Sequence, residues 1–173
     1  MLWVKKEKLM RLRRGLYALP PQMSAQPLSG EAAASLLYFP SYLSLESALS
    51  HYELIPERVA EWTSITTRKT MRFVNSLGRF SYCHVTPKRF FGFDRLEGQG
   101  SITYLARPEK ALLDWIYLDD RKVADPGDYI DILRLQNTES LSRKKLMETA
   151  GRFESKKIAV AAAALSRALK MTS

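Results

Sequence analysis

Apolar residues recur at helical spacing in two stretches of this chain, and each stretch opens on a helix-start signal. In the first, Leu45, Ala48, Leu49 and Tyr52 fall on one face of a helix running from Leu45 to Tyr52. Ser44 stands where it can cap that helix, and Pro56 stops the chain from continuing it. In the second, Ala111, Leu112, Trp115 and Ile116 supply the buried face of a helix beginning at Pro108, where the missing N–H costs nothing. Glu109 suits its positive end. Lys110 and Asp114 are four residues apart on it and can pair, for only a few tenths of a kcal/mol. Leu45, Ala48, Leu49, Leu112, Leu113 and Ile116 are therefore expected in one core.

Between these helices the period changes. Thr63, Ile65 and Thr67, then Phe80 to Val85, then Ile102 and Tyr104 are β-formers bounded by Gly78, Pro87, Gly92, Gly98 and Gly100. The pattern predicts three or four strands, mostly antiparallel because their connections are short. Upstream, Met1 to Leu12 reads as a helix end running into a short strand. Arg13 to Leu19 reads as a tight hairpin and its return strand, with Gly15 permitting a positive φ. Pro20 to Pro27 holds three prolines and no charge and reads as a linker. Ser29 can cap a helix over Glu31–Leu37, and Pro40 and Ser41 end that unit. Downstream, Asp125 to Asp128 is a loop and Tyr129 to Leu135 a short helix or turn. Ser140 or Ser142 starts a helix through Ala150, and Phe153 to Met171 reads as one long alanine-rich helix. The fold class is α+β.

Charge sharpens this picture. Of the net +9, residues 1–21 hold +5 and residues 143–173 hold +6, which leaves the middle at −2. Basic termini around a near-neutral middle point to an anionic partner. The single cysteine, Cys83, excludes an intramolecular disulfide and suits a reducing cytoplasm. No apolar run approaches the roughly 18 residues that span a bilayer. The first charges follow the first apolar residues, the wrong order for a signal peptide.

Candidate chemistry is sparse. Cys83 and His84 are adjacent in a predicted strand and point to opposite faces, so with His51 they do not converge on a metal. Asp119, Asp120, Asp125, Asp128 and Asp131 could in principle hold Mg²⁺, but they flank a Pro-Gly loop where acids are commonly solvated. No glycine-rich phosphate loop accompanies them: Glu97 to Ser101 lacks the following Lys-Ser/Thr. Ser44 has no nucleophile elbow around it, and a capping role accounts for it. No catalytic residue, metal ligand or cofactor site is expected. Arg11, Arg13 and Arg14 are more specific. On a narrow β-ribbon, Arg11 and Arg13 can share one face with Arg14 at the tip, and guanidinium groups so placed reach phosphates or a minor groove. Lys5, Lys6 and Lys8 precede them and are expected to assist.

Four segments in order resemble the AbiEi family of bacterial antitoxins. Leu9 to Pro20 is similar to the helix end and β-wing of its N-terminal winged helix. Tyr42, Ser44, Ser47, Ala48 and Leu49 with Leu54, Ile55 and Pro56 resemble a second block. Thr63 to Thr67 and Phe80 to Val85 resemble the strands that follow. Ala106 with Pro108 to Asp114 resembles a later helix. The resemblance implies a partial winged helix over residues 1–20, a linker over 21–28 and an AbiEi-like antitoxin domain over 29–173. It implies an antitoxin that also represses its own operon by binding inverted repeats in promoter DNA. It further implies antagonism of a nucleotidyltransferase-like toxin, without requiring a stable complex. In the family the winged helix begins some dozens of residues before the wing, so its first helices are expected to be missing here and base-edge readout to be poor. The alternatives are a metal-dependent nucleic-acid-processing enzyme using Asp119–Asp131 and a stand-alone nucleic-acid-binding module.

Overall fold

A computed structural model describes residues 8–98, 101–121 and 123–172. The architecture is mixed α+β, with a two-stranded hairpin and a six-stranded sheet flanked by helices. Strands β1 (Met10–Arg13) and β2 (Leu16–Ala18) form the hairpin, and Gly15 turns it at φ 78°. Lys5 and Lys6 lie outside the described residues, as does most of the helix end read over Met1 to Leu12.

The large sheet contains β3 (Ser41–Leu43), β4 (Glu61–Thr66), β5 (Met71–Asn75), β6 (Gly78–His84), β7 (Phe93–Gly98) and β8 (Ser101–Ala106). Their order is β5-β6-β4-β3-β8-β7. Three neighbouring pairs are antiparallel, while β4/β6 and β3/β8 are parallel. The sequence pattern expected three or four strands; five form between Glu61 and Ala106, and β3 is a sixth. Ser41 thus begins a strand instead of ending a unit. Three of the five ladders are antiparallel, as expected, and the parallel β4/β6 pair has a physical reason. Its crossover is strand β5 itself, which runs back along the outer edge. Residues 67–70 must therefore step over the end of β6, a distance of about two strand spacings, or roughly 10 Å.

Helix α1 (Gly30–Leu37) covers one face of this sheet. Ser29 Oγ accepts the Ala32 N–H at 3.1 Å, as its sequence predicts. Tyr82 donates its hydroxyl to Ala34 O at 2.7 Å, and Ser35 Oγ accepts the Tyr104 N–H at 3.2 Å. Gly30 is required here because a Cβ would meet Trp62 Nε1 at 2.2 Å. Helices α2 (Leu45–His51) and α3 (Pro108–Leu118) lie against the opposite face. Helix α4 (Tyr129–Leu133) is short, and α5 (Arg143–Arg152) and α6 (Lys156–Ala168) pack on α3. Ser142 caps α5 by accepting the Lys145 N–H. Glu109, read as a partner for the α3 dipole, is buried and accepts the Ser142 N–H at 2.8 Å, tying α3 to α5. The single helix expected over Phe153–Met171 is corrected: the chain breaks at Glu154 (φ 50°), Phe153 is buried as an anchor, and α6 starts at Lys156.

All six expected core residues are buried, Leu112 completely. Trp115 is only half-buried and donates its indole N–H to Glu46 at 2.7 Å. Leu112→Ala should destabilise the fold by about 2–5 kcal/mol, the range for emptying a close-packed site. Urea titration checks it; a change under about 0.5 kcal/mol would reject this placement.

Candidate nucleic-acid interface

The β1–β2 hairpin is short and basic, and it is seated. Leu12 is buried in the common core between exposed Arg11 and Arg13. The Asn75 amide donates to Leu12 O at 3.2 Å, and Ser76 Oγ approaches Met10 Sδ at 3.6 Å. The ladder pairs Met10 with Ala18 and Arg11 with Tyr17, then slips at a bulge so that Arg13 faces Leu16. A bulge bends and re-aims the strand it interrupts. Arg11, Arg13 and Arg14 are all exposed, and Arg14 sits at the turn. Lys8 is exposed just before the hairpin.

Some of the other cations are paired. Arg95, Arg107, Arg121 and Arg134 each hold a carboxylate, on Glu97, Asp94, Asp119 and Glu57 respectively. Among the described residues, Arg11, Arg13 and Arg14 form no ion pair. The same holds for Arg68 and Lys69, which share the β4–β5 crossover. Sequence reading passed over those two. The available signal was a pair of adjacent cations between threonines, Thr67 to Thr70, with no acid near them in the chain.

The densest polar constellation is enclosed in the core. Tyr42, Ser44, Lys110 and Asp114 meet between β3 and α3 and are all buried. Ser44 does not cap α2 with its side chain. It donates to Asp114 Oδ2 at 2.8 Å, and Tyr42 donates to the same oxygen at 3.0 Å. Lys110 donates to Tyr42 Oη at 2.8 Å and to Asp114 Oδ1. The pair read as worth a few tenths of a kcal/mol is thus a desolvated one. Burial pushes the Asp114 carboxyl up and the Lys110 ammonium down, and each group draws the other back toward its charged form. Ser44 is fully covered.

The remaining acids are spread out. Asp119 accepts from Arg121 Nε at 2.7 Å, and Asp125 accepts the Gly127 N–H at 2.8 Å. Asp120, Asp128 and Asp131 are exposed. Among the described residues no three His, Cys, Asp or Glu side chains converge where a metal ion could sit. Burial, first among several causes, pushes the Cys83 thiol up, which lowers its thiolate content and its reactivity. A hollow of about 440 Å³ beside Trp115 carries Glu46, Glu57 and Glu61, the wrong charge for a phosphate ligand. No described helix is long and apolar enough to cross a membrane. No family model, curated protein or solved structure matches this chain.

Proposed function

We propose that this chain is an AbiEi-like antitoxin that acts in the cytoplasm, represses its own operon and counteracts a nucleotidyltransferase-like toxin. One observation supports the DNA half of this reading most: three exposed arginines, without carboxylate partners among the described residues, on a hairpin anchored by Leu12 and Asn75. Guanidinium groups on a supported ribbon meet phosphate oxygens bidentately without first having to break ion pairs. Phosphate contacts fix register on a duplex; sequence is read at base edges. The antitoxin half rests on the resemblance of the Tyr42–Pro56 and Ala106–Asp114 segments. In this fold those segments form the β3–α2 and α3 scaffold around the buried pair.

The test has two readouts. Gel shifts on the operon's own promoter and on unrelated DNA, at two salt concentrations, are expected to show binding that falls steeply with salt and prefers the promoter weakly. Co-expression with the adjoining toxin gene is expected to restore growth. Loss of DNA binding at low salt together with no rescue would overturn the proposal. Strong promoter preference would instead show that sequence reading survives in this chain.

A further inference from the structure

We propose that the β4–β5 crossover, Thr67 to Thr70, is a phosphate-binding site that continues the wing's contact along a nucleic-acid backbone; this rests on the DNA-binding reading above. The topology creates the site. Because β5 returns on the far side of β6, the crossover arches over the end of β6, where His84 stands. His84 holds the arch at two points. Its Nδ1 lies 2.9 Å from Arg68 O, a pure acceptor, so that nitrogen carries the proton. Its backbone N–H donates to Thr70 Oγ1 at 3.3 Å. The Arg68 N–H donates to Thr66 Oγ1 at 3.1 Å. The loop is therefore pinned before any ligand arrives, which spares ordering entropy on binding.

What the loop presents is chemically suited to an anion. An open hollow of about 650 Å³ is lined by Tyr38, Thr67, Arg68, Lys69, Thr70 and His84, with no carboxylate among them. The Arg68 guanidinium lies 4.5 Å from the Tyr38 ring centroid and donates one N–H to Phe39 O at 3.2 Å. The stack fixes its plane while its other N–H groups stay available. Lys69 is exposed beside it, and the Thr70 hydroxyl, accepting from His84, keeps its own O–H to donate.

The hollow and the wing both border strand β5: Tyr38, which lines the hollow, packs on Phe73, and Asn75 donates to Leu12 O of the hairpin. Tyr38 packs edge-on against Tyr82 at 5.2 Å, and Phe73 packs on both. Burial pushes the Tyr82 hydroxyl up, and the Arg13 charge partly offsets that shift. Arg68 stacks on this cluster, and neither it nor Arg13 has an acid partner among the described residues. Clustered like charges repel until an anion neutralises them, and a phosphodiester backbone passing both cations supplies repeated anions at fixed spacing.

The experiment compares R68A/K69A with wild type and with the hairpin variant R11A/R13A/R14A, using the full chain. Fluorescence anisotropy on promoter and unrelated DNA across a salt series is expected to give R68A/K69A a log–log slope lower by about two units on both sequences. Promoter preference should stay unchanged. Wild-type binding that R68A/K69A leaves intact, while the hairpin variant loses it, overturns the crossover site and leaves the DNA reading standing. K69E, which leaves the Arg68 stack untouched, guards against a folding defect and should also weaken binding. Amide NMR shifts with a short single-stranded oligonucleotide and with inorganic phosphate decide the site even without promoter binding. Shifts at Thr67 to Thr70 and His84 with the oligonucleotide, lost in R68A/K69A, support it. Shifts with inorganic phosphate only, or with neither, overturn it.

Discussion

Asp114→Ala is expected to destabilise the protein by about 3–5 kcal/mol, the range for removing one partner of a buried ion pair. Asp114 is fully buried and accepts from Tyr42, Ser44 and Lys110. Without it, the Lys110 ammonium stays enclosed by the rings of Tyr42, Phe91 and Phe153, at 5.3, 4.9 and 4.6 Å. Ring faces attract a cation but do not replace a carboxylate. Burial already holds the Lys110 amine below its ordinary value, and loss of the carboxylate lowers it further. The folded variant then binds fewer protons than the unfolded chain. Its stability should rise with pH from the depressed lysine value up to about 10.4, the unfolded value. The double variant K110M/D114L should be more stable than D114A, because it removes both desolvated charges together. Urea unfolding at several pH values measures all three effects. A loss under about 1 kcal/mol for D114A, or a double variant less stable than the single, would contradict this account.

The R11A/R13A/R14A variant is expected to lower the log–log salt slope of DNA binding by up to about three units, one for each phosphate that the variant no longer neutralises. Its melting should shift little, because the three side chains are exposed and form no ion pair among the described residues; exposed substitutions of this kind fall within about 0.5 kcal/mol. The hairpin itself remains held by Leu12 and by the Asn75 amide. Separating affinity from stability in this way makes the measurement decisive. Unchanged DNA affinity with unchanged melting would remove the wing from the interface. A large fall in melting temperature would show that the arginines support the fold instead.

Sequence alone determined the features that depend on neighbours in the chain. Ser29 and Ser142 cap the helices they precede, Pro108 opens α3, and Gly15 turns the hairpin. Leu45, Ala48, Leu49, Leu112, Leu113 and Ile116 are buried as their helical period requires. Caps, turns and amphipathic faces are set within about one turn of chain, so they can be read residue by residue. Tertiary structure decided the rest. Ser44 looked like a cap but became a partner of Asp114, because β3 carries it beside α3, 70 residues away in the chain. Lys110 and Asp114 have the spacing of a surface pair; only the packing of α5 and α6 over α3 makes them a buried one. The parallel β4/β6 ladder, with β5 on the outside, has no signature in short loops, since strand pairing depends on partners and not on connection length. That same pairing carries Arg68 and Lys69 over the end of β6, at His84. Two cations that are ordinary in sequence thereby come to line one hollow with Tyr38 and His84, because sheet order brings together residues that the chain keeps apart.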